Sequence, residues 1–287
     1  MLRIIACQRC QLVKIHAIQT GKVRVKQFQL TGAKHNLSRI WQIFLTQKWS
    51  HWFPIYCWLI EHPVGLFLVD VGETAKVHES GYLPDSAVFR AVVQFDMLRE
   101  DEIDQQLGQL GFTTDQITAI FLTHLHTDHI GGMGHFPGKP VYASKTDYNV
   151  AISPKGSGSG FIKKNWPHWF NPNLIEFDDP AEGVFPSSKK MTEDGSIVAI
   201  PTPGHSPGHV SYIVHTEDVR YVLAGDVTYN IATLLDGVPN VVLNTATAME
   251  SVAKLRHYVL ASPSVVLTSH DPDVPRILEH KHVVVGG

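Results

Sequence analysis

The sequence predicts a single α+β domain in which short buried strands alternate with helices and carry a polar site at their ends. Three observations predict it. Short apolar runs recur along the chain, and several stop abruptly at an acid or a histidine. Between them lie stretches whose apolar residues recur at helical spacing. No linker or repeat divides the 287 residues, a length that one large domain fills.

Taken in order, residues 1–20 show no clear pattern and read as a loose leader, so the core is expected over about residues 23–280 of a single domain 1–287. Cys7-x-x-Cys10 falls in this leader; a lone pair with no second pair beside it reads as incidental. Val23 to Leu30 alternates apolar and polar residues like a half-buried strand. Residues 41–54 concentrate Trp41, Trp49, Trp52 and Phe53, which reads either as packing or as one wall of an apolar pocket. Ile55 to Ile60 and Gly65 to Val69 flank Glu61-His62-Pro63 and read as a hairpin. Its second strand ends in Asp70-Val71-Gly72, where Asp70 suits an acceptor that fixes a ligand histidine.

Asp101 to Phe112 sets Ile103, Leu107 and Leu110 on one helix face, with Gly111 as its stop. Ile117 to Leu122 and Pro140 to Ala143 read as strands. Residues 153–173 are rich in Gly, Ser, Pro and Asn yet carry Phe161, Trp166, Trp169 and Phe170, the pattern of a mobile cover with aromatic anchors. Three further strands, Ser196 to Ile200, Arg220 to Ala224 and Val265 to Leu267, lead towards His205, Asp226 and His270. Ala248, Val252, Leu255 and Val259 mark one face of a helix before the last strand.

Composition narrows the function. With 18% charged residues and a formal net charge of -3, the chain carries no electrostatic footprint for nucleic acid. No apolar run approaches the ~20 residues of a membrane span. Met1 to Cys10 has neither the apolar length nor the cleavage pattern of a signal peptide. Three cysteines without a disulfide framework fit a reducing cytoplasm.

The chemistry concentrates in Thr123-His124-Leu125-His126-Thr127-Asp128-His129-Ile130-Gly131-Gly132, directly after a buried strand. Three imidazoles and a carboxylate packed this tightly would leave buried polar groups short of partners unless a metal joined them. Gly131 and Gly132 allow the tight backbone turn such crowding needs. With His205, Asp226 and His270 the set reaches five imidazoles and two carboxylates, too many for one tetrahedral ion and suited to two ions sharing a carboxylate.

The H-x-H-x-D-H motif followed in order by His205, Asp226 and His270 resembles the metallo-β-lactamase superfamily, over about Val23 to Asp271. The resemblance implies an αββα sandwich of two packed mixed sheets flanked by helices. It implies that His124, His126 and His205 hold a first metal, that Asp128, His129 and His270 hold a second, and that Asp226 bridges them. His209, in Thr202-Pro203-Gly204-His205-Ser206-Pro207-Gly208-His209, would then support the site without ligating. Within the superfamily, Asp226-Val227-Thr228-Tyr229 is similar to the N-acyl homoserine lactone lactonases, which implies a Tyr229 hydroxyl aimed at the substrate carbonyl. Packing after a strand is the other reading of Tyr229.

On this resemblance the expected reaction is opening of a lactone ring by a metal-activated hydroxide, with Tyr229 stabilising the oxyanion and Asp128 carrying the proton to the leaving alkoxide. Trp52, Phe53, Trp166, Trp169 and Phe170 are expected to bury the acyl chain. The rivals are a glyoxalase II-type thioesterase, a phosphodiesterase or phosphotriesterase on the same metals, and a diiron redox protein. The first would want a basic patch, for which Lys163-Lys164 is a thin candidate. The second would want cations for phosphate, and the third an electron-transfer module. No cysteine stands among the ligand positions, which disfavours a β-lactamase. Two divalent ions per chain, zinc first, are expected, and iron, manganese or cobalt suit the same N/O donors. The expected partner is a small lactone, and a homodimer is compatible with the sequence.

Overall fold

The computed structural model describes residues 13–31, 47–84, 86–240 and 244–286. Cys7, Cys10 and Trp41 lie outside the described residues.

Strand β1 runs over Lys14–Val25, so the loose leader expected over residues 1–20 already contributes a strand from residue 14. It pairs antiparallel with β2 (Phe53–His62), Lys14 opposite Glu61 and Gln19 opposite Tyr56. The sequence signal was blurred because this strand packs on both faces: Ile18 joins one core cluster while Ile15 and Ala17 pack on another. The strand expected over Val23–Leu30 stops at Val25, and Gln27–Thr31 turns into a short 3-10 helix.

Strand β3 (Gly65–Val69) completes the expected hairpin. Helix α1 (Ala87–Val92) and strand β4 (Val93–Asp96) follow, with β4 antiparallel to β1. Helix α2 (Ile103–Gln109) buries Ile103 and Leu107, but Leu110 is exposed, because it caps the helix and Gly111 turns the chain away. Strand β5 (Ile117–Phe121), the single-turn helix α3 (Thr127–Ile130), β6 (Val141–Ser144), α4 (Lys145–Ile152) and β7 (Asn173–Ile175) finish the first half. The second half holds β8 (Lys189–Lys190), β9 (Ile197–Pro201), β10 (Val210–His215) and β11 (Arg220–Gly225). Helices α5 (Ile231–Leu235) and α6 (Thr245–Leu260), strand β12 (Ser264–Thr268) and helix α7 (Val274–Glu279) close it.

The strands form two mixed sheets, ordered β4-β1-β2-β3-β5-β6-β7 and β12-β11-β10-β9-β8. Alternation along β2 explains the layering. Tyr56, Trp58 and Ile60 point into the space between the sheets, where they meet Tyr212, Leu223 and Leu267. Cys57 and Leu59 point the other way, onto Ile103 and Leu107 of α2. On the far sheet Val198, Ile213 and Val222 face Val252, Leu255 and Val259 of α6. Helices therefore cover both outer faces of a two-sheet core: the αββα sandwich. Among the described residues no helix is long and apolar enough to cross a membrane.

Candidate metal centre

Both sheets deliver chemistry to one edge. His124 and His126 leave the end of β5, and Asp128 and His129 occupy the single turn α3. His205 lies in the loop between β9 and β10, while Asp226 follows β11 and His270 follows β12. A sheet alone spaces its strand ends too widely for short side chains to meet; two packed sheets bring four strand ends together.

The seven residues converge into overlapping groups. His124, His126 and His205 have ligand atoms within 4.8 Å of one another, as do Asp128, His129 and His270. Asp226 stands between the groups: its Oδ2 lies 3.4 Å from His205 Nε2 and 3.2 Å from His270 Nε2, and its Oδ1 lies 3.5 Å from His129 Nε2. Burial and the surrounding imidazoles hold His124 well below the usual histidine range, and burial lowers His126, which favours the neutral imidazole that a metal requires.

The partners behind these rings fix which nitrogen faces inward. Asp70, fully buried, accepts from the Thr123 N–H and the Thr123 hydroxyl, both at 2.8 Å, and from His129 Nδ1 at 2.8 Å. The Thr123 proton being spent on Asp70, His124 Nδ1 must donate to Thr123 Oγ1 at 3.0 Å, which leaves a lone pair on His124 Nε2. His126 Nε2 donates to the Ser159 carbonyl at 2.9 Å, and His270 Nδ1 to the Pro54 carbonyl at 2.8 Å. The Asp226 N–H donates to His209 Nε2 at 2.9 Å, while Asn240 donates to Asp226 Oδ2 at 3.3 Å.

These donors fit a metal on their own geometry. His126 Nδ1 lies 2.9 Å from His124 Nε2 and 3.0 Å from His205 Nε2. With the outer nitrogens of His124 and His126 already protonated, their inner lone pairs face each other, a repulsive arrangement that a cation turns attractive. His129 Nε2 and Asp226 Oδ1 are likewise buried without a hydrogen-bond partner among the described residues.

The centre floors a cavity of about 610 Å³. Its polar end carries His126, Asp128, His205, Asp226 and His270; its walls include Val23, Val25, Phe53, Phe89, Val93 and Phe95. Tyr229 lines the cavity next to the centre and stacks on Phe53, ring centroids 5.2 Å apart.

Of the expected pocket aromatics, Phe53 lines this cavity and four do not. Trp52 packs against the Arg24 guanidinium, 4.4 Å from its ring centre. Trp166, Trp169 and Phe170 turn inward onto the core beneath the first sheet, with Trp166 between Tyr148 and Phe170. Phe161, from the same segment, does reach the cavity and lies 5.5 Å from the His126 ring. The glycine-rich 157–160 turn lines the cavity, Phe161 is shared between cavity and core, and the later aromatics lie on the core side.

Three groups escaped the sequence reading. Glu73 is fully buried and accepts from the Thr127 hydroxyl at 2.5 Å, the Tyr82 hydroxyl at 2.7 Å and the Thr74 N–H at 2.9 Å. Burial pushes its carboxyl up to about 8. Gly131 packs on it: a Cβ there would stand 2.2 Å from Glu73 Oε1, so this glycine serves close approach and not the expected turn, its φ being -55. Asp147 and the α1–β4 wall are the others. A strand-acid-glycine signal existed only for Asp70.

A two-sheet sandwich with an imidazole and carboxylate cluster at its edge defines a metal-dependent hydrolase. The sequence pattern of the metallo-beta-lactamase superfamily matches residues 51–270, and the chain belongs to that superfamily. Membership implies a divalent-metal cofactor, and the grouped histidines and aspartates are able to hold it. The chain is 29% identical to the N-acyl homoserine lactonase AttM of Agrobacterium fabrum (strain C58 / ATCC 33970), over 91% of this chain and 94% of the relative. It is 29% identical to the N-acyl homoserine lactonase AiiA of Bacillus thuringiensis subsp. kurstaki, over 76% and 81%. A solved N-acyl homoserine lactone hydrolase, with N-hexanoyl-L-homoserine bound at its catalytic metal center, superposes with a TM-score of 0.74. That pair shares 24% identity and covers 92% of this chain and 95% of the other.

Proposed function

We propose that this protein hydrolyses the ring ester of N-acyl homoserine lactones, and so acts in quorum quenching. One observation carries the reading: a cavity of about 610 Å³ is walled by valines and phenylalanines and lined also by the ligand cluster and Tyr229. No lysine or arginine is among the described residues lining that cavity, which weighs against a phosphodiester or a glutathione carboxylate.

His124, His126 and His205 would hold one ion, Asp128, His129 and His270 a second, with Asp226 shared; zinc suits these donors first. When bound, such ions supply Lewis acidity, making water nucleophilic near neutral pH and polarising a carbonyl. The chain does the rest. The valines and phenylalanines of the wall take the acyl chain and exclude water from it. The Tyr229 hydroxyl donates to the carbonyl oxygen as water adds to the carbonyl carbon and negative charge builds there. Asp128, on the cavity wall, holds the proton lost by water and returns it to the ring oxygen as the ester bond breaks, leaving a free hydroxyl and a carboxylic acid that releases its proton to solvent as the carboxylate.

The test is a hydrolysis panel on metal-replete protein with a homoserine lactone, a thioester and a phosphodiester. Preference for the lactone is expected. Turnover of either rival with the lactone untouched refutes the proposal, and elemental analysis showing one ion per chain refutes the binuclear part.

A further inference from the structure

We propose that Asp147 is the positioning residue of the first metal group, a buried carboxylate that clamps the loop carrying His124 and His126 to the loop carrying His205. The inference rests on the two-ion reading above and deepens it.

Asp147 sits in the first turn of α4 and is fully buried. It accepts from the Ser206 hydroxyl at 2.6 Å, the Gly208 N–H at 2.5 Å and the Leu125 N–H. Leu125 lies between His124 and His126, and Ser206 follows His205. One carboxylate thus grips the backbone or side chain immediately beside all three imidazoles. Those imidazoles come from different sheets and must meet to within a few tenths of an ångström for one ion to use them.

Another tie exists nearby, since the Val210 N–H donates to the Thr123 carbonyl at 2.8 Å where β10 meets the end of β5. The Tyr212 hydroxyl donates to the Leu122 carbonyl at 2.8 Å beside it, so β10 is tied twice to the end of β5. Asp147 ties the ligand-bearing loops themselves, at Leu125 on one side and at Ser206 and Gly208 on the other. The packing agrees. At Gly208 a Cβ would stand 2.3 Å from Ser144 Oγ and 2.7 Å from the Asp147 nitrogen, so the His205 loop lies flat on the start of α4. The choice of aspartate follows from the partners: three donors converge, and a carboxylate is acceptor-only. The second group, Asp128, His129 and His270, is braced instead by Asp70 and the Pro54 carbonyl.

The experiment compares wild type with Asp147→Ala, Asp147→Asn and Ser206→Ala. Zinc is titrated against a chromophoric chelator, bound metal is counted, and melting of the metal-free proteins is followed. Asp147→Ala is expected to lose one of two ions where wild type keeps both, through a roughly tenfold to hundredfold weaker site. Asp147→Asn should fall between, because its amide oxygen still accepts from backbone. Equal weakening of both ions in step with a lower metal-free melting point makes Asp147 a merely structural residue and overturns the proposal, as does unchanged affinity. If Asp147→Ala does not fold, Ser206→Ala decides, since it removes one bond and leaves the carboxylate satisfied; selective loss supports the clamp and none refutes it. A wild type that holds one ion refutes the two-ion reading instead, and the clamp then stands or falls on whether Asp147→Ala weakens that ion.

Discussion

Replacing Thr123 with valine tests how the site chooses the nitrogen that His124 presents. Valine keeps the β-branched shape, and the backbone bond from residue 123 to Asp70 Oδ1, 2.8 Å in length, does not depend on the side chain. Two bonds go: the acceptor for His124 Nδ1 at 3.0 Å and the donor to Asp70 Oδ2 at 2.8 Å. Asp70 Oδ2 keeps the His129 Nδ1 proton at 2.8 Å, so the carboxylate is not stranded. His124 is. Its ring is almost fully buried, and an orphaned N–H there costs about 1–3 kcal/mol. The ring can escape by moving the proton to Nε2, but that removes the lone pair aimed at the metal. Either route should weaken zinc binding by roughly tenfold to hundredfold, the usual loss when a partner behind a ligand is removed. Chelator competition reads the affinity, and Thr123→Ser, which restores the hydroxyl, should recover most of it. A folded Thr123→Val protein with wild-type zinc affinity would refute the assignment of protons around Asp70.

Other perturbations follow from the same geometry. Tyr229→Phe keeps the stack on Phe53 and should leave metal content intact while lowering kcat/KM on homoserine lactones by roughly tenfold to a hundredfold, from one lost bond of about 1.5–3 kcal/mol. An unchanged rate makes Tyr229 a packing residue. Phe89→Ala or Phe95→Ala should cost about 1–3 kcal/mol more on a dodecanoyl than on a butanoyl substrate, whereas Trp166→Ala should affect all lengths alike; the reverse pattern would move the acyl chain to the other segment. Glu73 is raised from 4.5 to about 8 by burial, so folded metal-free protein holds a proton that the unfolded chain releases. Stability should therefore fall as pH rises from about 4.5 to 8, by on the order of 5 kcal/mol from this group, and Glu73→Gln should flatten that fall in urea titrations. Parallel pH profiles for the two proteins would rule it out.

The parts of the site legible in the sequence share one property: their role follows from what they adjoin in the chain. His124, His126, Asp128 and His129 lie within one strand-end loop, and Asp70 repeats the pattern of strand, acid and glycine. The hairpin and helix α6 were legible because one periodicity dominates each of them. Strand β1 was lost over Lys14 to Thr20 because both of its faces pack, which erases alternation. The cavity wall was lost because α1 is six residues long, less than two turns, and shows no period before β4 begins.

The tryptophans mark the deeper limit. Aromatic density says that large apolar surface must be buried, not which side of a sheet will bury it. Trp166 and Phe161 are five residues apart in one segment and both join the helix-side core, yet of the two Phe161 alone also lines the cavity and meets the His126 ring. Asp147 and Glu73 mark the same limit for polar groups. Each is an isolated acid in the sequence, and its meaning comes from donors distant in the chain: Ser206 and Gly208 for Asp147, Thr127 for Glu73. The candidate ligands can be read locally because a metal demands particular atoms. The residues that aim those ligands need only one well-placed acceptor, and any acid brought there by the fold can serve. Substitutions at Asp147 and Thr123 should therefore change metal affinity while the ligand set in the sequence stays the same.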